Sequence, residues 1–214
     1  MPEVMVVANR YISPSQVSFY FGLTGSLSQV TNIERKTMTD TDTNGKTTFQ
    51  VICKSWSLHS RRVLRDSAVS YPIVSFMKKI PSMHSTRRVY RGDSGDPRDL
   101  LFTVTLSSLT QKVSKTKLDV FLASNTSKVN SDFKVIEASS SDKSCTIYAG
   151  ATVIAQMDEN CTVTVYPHVD YAFIFTLLVI LEDIKEEYRA MKPKRFVFDF
   201  NGPDFMSTMN GFMN

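Results

Sequence analysis

The amino-acid sequence predicts a mostly β domain, of the α+β class, in which many short strands surround one buried hydrophobic helix. Two observations support this fold class. Short runs of β-branched and aromatic residues recur along the chain and are separated by turn-forming residues. Near the C-terminus, by contrast, an uninterrupted apolar run begins at Tyr171 and ends at about Leu181.

The short runs predict ten antiparallel strands, at a spacing typical of a β-sandwich or a barrel. The dipeptide Asn44-Gly45 is the strongest turn signal between them, because both residues tolerate positive φ and favour a tight hairpin. The predicted strands are residues 16–21, 47–53, 72–77, 88–91, 100–106, 117–122, 132–137, 144–148, 152–157 and 161–166.

The apolar run 171–181 is predicted to be a core helix. Asp170 precedes it and is a good N-cap, because its carboxylate accepts from the free N–H groups of the first turn. Between Phe173 and Leu181 only Thr176 is polar, so every side of this helix needs an apolar environment, either protein or lipid. At 1.5 Å per residue the run is ~16 Å long, whereas a membrane span needs ~30 Å. We therefore expect no transmembrane span.

Charged residues follow the apolar run at once, beginning with Glu182 and Asp183. The helix is expected to continue as an amphipathic segment and to end near Pro193. In the remaining tail, residues 196–200 are a candidate strand. No cofactor or metal is expected, since no ligand set with suitable spacing occurs.

The basic residues are unevenly distributed. The net charge is +4, yet the segment from Lys54 to Arg91 holds nine Lys or Arg and one acidic residue, Asp66. The rest of the chain therefore has a net charge of −4. A local basic segment in a balanced chain indicates a surface that faces a polyanion and not a general affinity for nucleic acid. The alternative is that these charges spread over both strand faces and form no patch.

Three basic doublets in this segment are the candidate site for anionic lipid. Adjacent strands lie ~4.8 Å apart, so doublets in register bring several cations within reach of one headgroup. Anionic lipid surfaces attract such cations by ~1 kcal/mol per charge. However, neighbouring residues in a strand point to opposite faces, so half of the charges must point elsewhere or lie on turns. The candidates are Arg61, Arg62, Lys78, Lys79, Arg87 and Arg88.

Cysteine usage and the N-terminus indicate the compartment. Cys53, Cys145 and Cys161 are odd in number, widely spaced and without a CxxC motif, which is typical of reduced thiols inside a cell. The N-terminus lacks the basic region of a secretory signal. We expect a cytoplasmic location, with the plasma-membrane periphery or the nucleus as alternatives.

Eight motifs, in order along the chain, resemble the plant LURP-one-related family. The resemblance covers residues 44–187 and implies the fold of tubby C-terminal domains and phospholipid scramblases, a twelve-stranded β-barrel threaded by a C-terminal hydrophobic helix. It implies a domain over residues 1–190, followed by a divergent tail over 191–214. The motifs are RVLRD at 62–66, SMH at 82–84, VYRG at 89–92, RDLLFTV at 98–104, TKLDVFL at 116–122, SCTIYAG at 144–150, IAQM at 154–157 and VTVYPHVDYAFI at 163–174.

One departure from the family pattern concerns closure of the barrel. The family has a longer segment with a further strand between its last two motifs, whereas here residues 158–162 join them directly. This short link raises the alternative that one strand is missing. An unpaired sheet edge would then remain.

The resemblance and the basic segment together predict a non-enzymatic module. It would bind an anionic phospholipid surface, such as one with phosphoinositides, and act among the membrane-tethered regulators of plant defence that the resemblance implies. The first alternative is a protein- or DNA-interaction module in transcription or defence signalling, although the residues themselves do not favour nucleic acid. The protein partners are unknown from the sequence.

A second alternative is a serine hydrolase. The loop 92–97, Gly-Asp-Ser-Gly-Asp-Pro, resembles the nucleophile loop of chymotrypsin-like proteases, and Ser94 would need His59 or His84 as its base. Asp96 stands where that loop has glycine, and too few residues precede Ser94 for the first barrel of such an enzyme. A hairpin loop rich in turn formers explains the motif, and no catalytic residue is expected.

Overall fold

The computed structural model describes residues 3–24, 37–41, 47–53, 61–68, 71–80, 85–107, 116–138 and 143–191. These residues form twelve β-strands, one long helix and two single turns of 3-10 helix. The strands are β1 (Val17–Thr24), β2 (Thr37–Thr41), β3 (Thr47–Cys53), β4 (Arg62–Asp66), β5 (Pro72–Lys78), β6 (Arg87–Arg91), β7 (Leu100–Leu106), β8 (Lys117–Leu122), β9 (Phe133–Glu137), β10 (Cys145–Ala149), β11 (Thr152–Met157) and β12 (Thr162–Val165). The helix α1 is Tyr171–Met191, and the 3-10 turns are Asn9–Tyr11 and Pro97–Asp99.

The twelve strands form a closed antiparallel barrel. Each strand pairs with its neighbours in sequence, and β1 pairs with both β2 and β12 to complete the ring. The fold class predicted from the sequence is confirmed.

The alternative that one strand is missing is wrong. Residues 158–162 make a tight turn, in which Asp158 accepts the backbone N–H of Cys161 and, through its side chain, that of Thr162 at 2.8 Å. The chain therefore reverses within a few residues, and β12 pairs with β11 on one side and with β1 on the other. The described residues leave no gap at this point of the barrel.

The apolar run is the core of the barrel. Residues 172–181 are all buried, as predicted for a helix that is apolar on every side. Phe173 packs edge-on against Phe102 of β7, and Phe175 lies against Phe21 of β1 and Phe49 of β3. Burial of each such side chain contributes on the order of 2 kcal/mol. No helix among the described residues is long and apolar enough to cross a membrane.

The chain divides into two units, Met1–Asp183 and Ile184–Asn214. The first unit holds the barrel and residues 171–183 of α1. Of the second unit the structure describes residues 184–191, which complete the helix. The candidate strand 196–200 lies outside the described residues, and the domain boundary at residue 190 stays a prediction.

The N-terminal segment 3–16 closes the end of the barrel at which α1 begins, called here the Asp170 end. Val4 forms a parallel β-bridge with Val169, and Ile12 forms an antiparallel bridge with Asp170. Tyr11 is buried, with its ring in edge contact with Phe49 and with Tyr171 of the helix. Tyr11, together with the buried Val7, therefore ties the segment to the core.

Asp170 holds this segment and the helix together. Its Oδ2 accepts the backbone N–H groups of Val7 at 2.7 Å, Ala8 at 3.1 Å and Val6 at 3.4 Å. Its Oδ1 accepts the N–H of Phe173 at 3.1 Å, which confirms the predicted N-cap. Burial raises the pKa of the Asp170 carboxyl, and the four N–H donors offset part of that effect.

The buried phenol of Tyr11 gives the first testable prediction. Burial, together with the hydrogen bond from its hydroxyl to Asp66 at 3.0 Å, raises the pKa of Tyr11 to about 12. Since the folded-state pKa lies above the ordinary ~10, the neutral phenol stabilises the fold below pH ~10, and this contribution is lost as the pH rises towards 12. An ultraviolet titration of wild type minus Tyr11→Phe should show one phenol that ionises near pH 12. An Asp66→Asn variant should move that transition towards the ordinary value; ionisation of Tyr11 together with the exposed Tyr71 would contradict the prediction.

Candidate anion-binding site

The structure brings the three basic doublets together at the end of the barrel opposite Asp170, called here the Asp183 end. One doublet lies at the start of β4, the second at the end of β5 and the third at the start of β6. These strands are neighbours in the sheet, and the register places Lys78 opposite Arg87. The predicted proximity of the doublets along neighbouring strands is therefore present in the fold.

The two members of each doublet lie on opposite faces of the sheet, as strand alternation requires. Arg62 pairs with Phe76 of β5, which is buried inside the barrel, so Arg62 lies on the inner face. The same register places Lys78 and Arg87 on the inner face. Arg61, Lys79 and Arg88 are the outer-face members.

Two of the three inner-face cations, Arg62 and Arg87, meet a carboxylate of the helix. Asp183 forms ion pairs with Arg62 through Oδ1 and with Arg87 through Oδ2, the latter at 2.6 Å from the guanidinium Nε. The Arg87 side chain is 4% exposed and that of Asp183 is 9% exposed. These two arginines therefore anchor α1 to β4 and β6. Lipid binding by them stays a prediction that the geometry does not favour.

The outer-face cations form a triangle, called here the outer triangle (Arg61, Lys79 and Arg88). Met77 of β5 pairs with Arg88, and extension of the β4–β5 register by one residue places Met77 opposite Arg61. Arg61 and Arg88 are thus two strand spacings apart, about 10 Å, with Lys79 next along the middle strand. The Lys79 side chain is exposed and that of Arg88 is half-buried.

The loop between β6 and β7 borders the outer triangle. Arg61 forms an ion pair with Asp93 of this loop at 2.8 Å and donates to Ser75 of β5 at 3.2 Å. The Ser75 hydroxyl in turn donates to the carbonyl of Ser94 at 2.6 Å. The loop is therefore fixed against the outer face of β4 and β5, and it partly neutralises Arg61.

Ser94 has a structural role in this loop. Its hydroxyl donates to a carboxylate oxygen of Asp99 at 2.5 Å and accepts the backbone N–H of Asp96 at 3.1 Å. These bonds are typical of a loop rich in turn formers, as the sequence indicated. His59 and His84, the bases that a hydrolase would need, lie outside the described residues.

Two features of this region were missed in the sequence. Asp183 is the counter-charge of Arg62 and Arg87. No feature of the sequence indicated this pairing beyond the position of Asp183 close after the apolar run. Arg65 is a further cation on the outer face of β4, since it pairs with the exposed Gln50 of β3. Its buried Nε, like that of Arg61, has no hydrogen-bond partner among the described residues.

Fold and site together define a class of protein: a closed antiparallel barrel whose interior is filled by its own C-terminal helix, with cations on the outer face of three neighbouring strands. The model of the LURP-one-related family matches residues 29–183. The chain therefore belongs to the LURP-one-related family, as the motifs indicated.

Relatives from Arabidopsis thaliana cover most of the chain. Protein LURP-one-related 15 is 44% identical over 164 residues, which is 70% of this chain and 74% of the relative. Protein LURP-one-related 10 is 42% identical over 69% of this chain and 81% of the relative. Protein LURP1 is 34% identical over 85% of this chain and 90% of the relative. These names describe no enzymatic activity.

A solved structure shows the same fold. The X-ray structure of a protein from Arabidopsis thaliana matches with a TM-score of 0.65 and 35% sequence identity. The match covers 85% of this chain and 98% of the solved chain. The barrel is therefore shared with a protein whose fold has been determined by experiment.

Proposed function

We propose that the domain is a non-enzymatic module that binds anionic lipid headgroups, of the phosphoinositide kind, through the outer triangle. The observation that carries this proposal is the register of β4, β5 and β6, which groups Arg61, Lys79 and Arg88 on one outward face. A flexible lysine beside two arginines suits a headgroup with several phosphates, because arginine binds phosphate oxygens in a bidentate manner.

Geometry separates this triangle from Arg62 and Arg87. Arg62 and Arg87 face the carboxylate of Asp183 inside the barrel, where a lipid headgroup has no access. Lys79 is exposed, and it is followed by Ile80, whose side chain is 54% exposed. An exposed apolar side chain next to cations favours contact with the interfacial region of a bilayer. The proposal therefore places this corner of the barrel against the membrane.

The same proposal includes a place in the cell. A module that binds phosphoinositide through this corner of the barrel would lie at the cytoplasmic face of the plasma membrane. Family membership supports, by resemblance, a role among the regulators of plant defence. In that role, reversible binding to the lipid would control the fraction of the protein that is located at the membrane.

Co-sedimentation with liposomes tests the proposal. Vesicles of phosphatidylcholine with and without phosphatidylinositol bisphosphate would be compared for wild type and a Lys79→Ala/Arg88→Ala variant. At ~1 kcal/mol per charge, loss of both cations should weaken binding by about 30-fold. The matched control is Lys117→Ala/Lys134→Ala, which removes two exposed cations from β8 and β9 and should bind almost as wild type.

Three outcomes would count against the proposal. An equal loss in both variants would mean that net charge alone drives binding. The absence of any preference for phosphoinositide vesicles would reject lipid recognition. Binding of duplex DNA with a steep dependence on salt would instead favour the alternative function, an interaction module in transcription.

A further inference from the structure

A shallow groove lies on the opposite side of the barrel from the outer triangle. It is formed by β10, β11 and β12 and has a volume of about 210 Å³. In the ring of twelve strands, β11 lies six positions from β5, so the two regions share no strand. The groove is lined by Thr146, Gln156, Met157, Asp158, Thr162 and Thr164, among others.

Uncharged hydrogen-bonding side chains form a row across this groove. The register aligns Thr146 of β10 with Gln156 of β11, Gln156 with Thr164 of β12, and Thr164 with Ser18 of β1. Neighbouring members of the row are therefore ~4.8 Å apart. A ligand that lies across the strands meets a hydroxyl or an amide at every strand.

The charges of the groove disfavour an ionic ligand. Asp158 is the one charged residue among those that line it, and its Oδ1 already accepts the backbone N–H of Thr162. A negative ligand would be repelled by this carboxylate, and no cation lines the groove to attract it. The free Oδ2 of a carboxylate is, however, a strong acceptor for a hydroxyl donor.

Aromatic rings flank the row. Tyr20 of β1 pairs with Thr162, and its side chain is 52% exposed. Tyr166 lies after β12, and its hydroxyl is 3.4 Å from Oε1 of Gln156. Tyrosine offers an apolar ring face and a polar tip at low conformational cost, so it suits ligands that have both kinds of surface.

From these features we infer that the groove is a second binding site, for a neutral polyhydroxylated ligand such as one sugar ring. Its hydroxyl groups would bond to Thr146, Gln156, Thr164 and Asp158, and an apolar ring face would stack on Tyr20. The volume is below the ~300–1,000 Å³ of pockets for drug-sized ligands, so the groove takes a single ring or one unit of a longer chain. This inference does not depend on lipid binding by the outer triangle.

Nuclear magnetic resonance titration of the labelled protein tests the inference. The probes are a panel of neutral compounds (glucose, galactose, mannose, xylose, arabinose and myo-inositol), each added alone, with inorganic phosphate as the charged comparison. At least one neutral compound should cause saturable shifts of the backbone amides of Thr146, Gln156 and Thr164. Phosphate should leave these amides unchanged.

Two variants make the outcome decisive. Thr164→Val replaces a groove hydroxyl by a methyl group of similar size, and it should weaken the affinity for that compound at least fivefold. Thr105→Val makes the same exchange on the outer face of β7, far from the groove, and should leave the affinity unchanged. No saturable shift with any member of the panel, or equal affinities for both variants, would overturn the inference.

Discussion

Replacement of Asp183 by alanine is expected to lower the free energy of unfolding by about 3–5 kcal/mol, the cost typical of an uncompensated buried charge. The carboxylate bridges Arg62 and Arg87, and the Arg87 side chain is 4% exposed. Without Asp183 both guanidinium groups lose the carboxylate that pairs with them. Because they lie on β4 and β6 while Asp183 lies on α1, the loss also removes two ionic contacts between the helix and the barrel wall.

Urea unfolding of three variants checks this expectation. Glu182→Ala removes the adjacent, half-buried acidic residue of the same helix, and should cost less than about 1 kcal/mol. The triple exchange Arg62→Met/Arg87→Met/Asp183→Leu should recover most of the loss, because an apolar replacement of a whole buried ionic cluster is often neutral or stabilising. A stability of Asp183→Ala close to that of Glu182→Ala would show that the cluster is not an anchor.

The core helix could be predicted from the sequence because its signal is local. An apolar run that has no polar side, has an N-cap at Asp170 and is followed by acidic residues is predicted to be a core helix, because it is too short to cross a membrane. The second task of Asp170 could not be predicted. Its contact with Val7 joins residues 163 positions apart, and no local pattern reports such a pairing.

The two strands that the sequence did not predict show where periodicity fails. In β4, Val63 and Leu64 are both buried although they are neighbours and so lie on opposite faces. Leu64 faces the interior, whereas Val63 pairs with Ser75, which the loop at Ser94 covers on the outside. The alternation that marks a half-buried strand is therefore absent. In β2, TMTDT has too few apolar residues to show a pattern.

The candidate site was predictable in part. Alternation along a strand required the doublets to split between two faces, and the structure shows that split. The sequence could not show which member faces inward, because that depends on register and on the position of Asp183 in the helix. Lipid binding by the outer members remains a proposal. The expectation of a missing strand was wrong. It was inferred from the short link 158–162, but a tight turn at Asp158 is enough to connect β11 with β12.

Replacement of Asp170 by alanine is the second substitution with a large expected effect, about 3 kcal/mol. The helix cap contributes ~1 kcal/mol. A buried N–H group without a partner costs a further ~1–3 kcal/mol, and the N–H of Val7 is such a group. The N-terminal segment can avoid that cost by detaching, which would expose the buried rings of Tyr11 and Phe49. Either way the Asp170 end of the barrel loses stability.

Hydrogen exchange separates the two tasks of this carboxylate. Asn caps helices as well as Asp does, so Asp170→Asn should keep the bond to Phe173. Its amide nitrogen, however, cannot accept from the N–H groups of Val7 and Ala8. Exchange at these two amides should therefore rise in both variants, while exchange at Phe173 should rise in Asp170→Ala alone. If Val7 and Ala8 stay protected in Asp170→Ala, then the β-bridges of Val4 and Ile12, and not the carboxylate, hold the segment on the barrel.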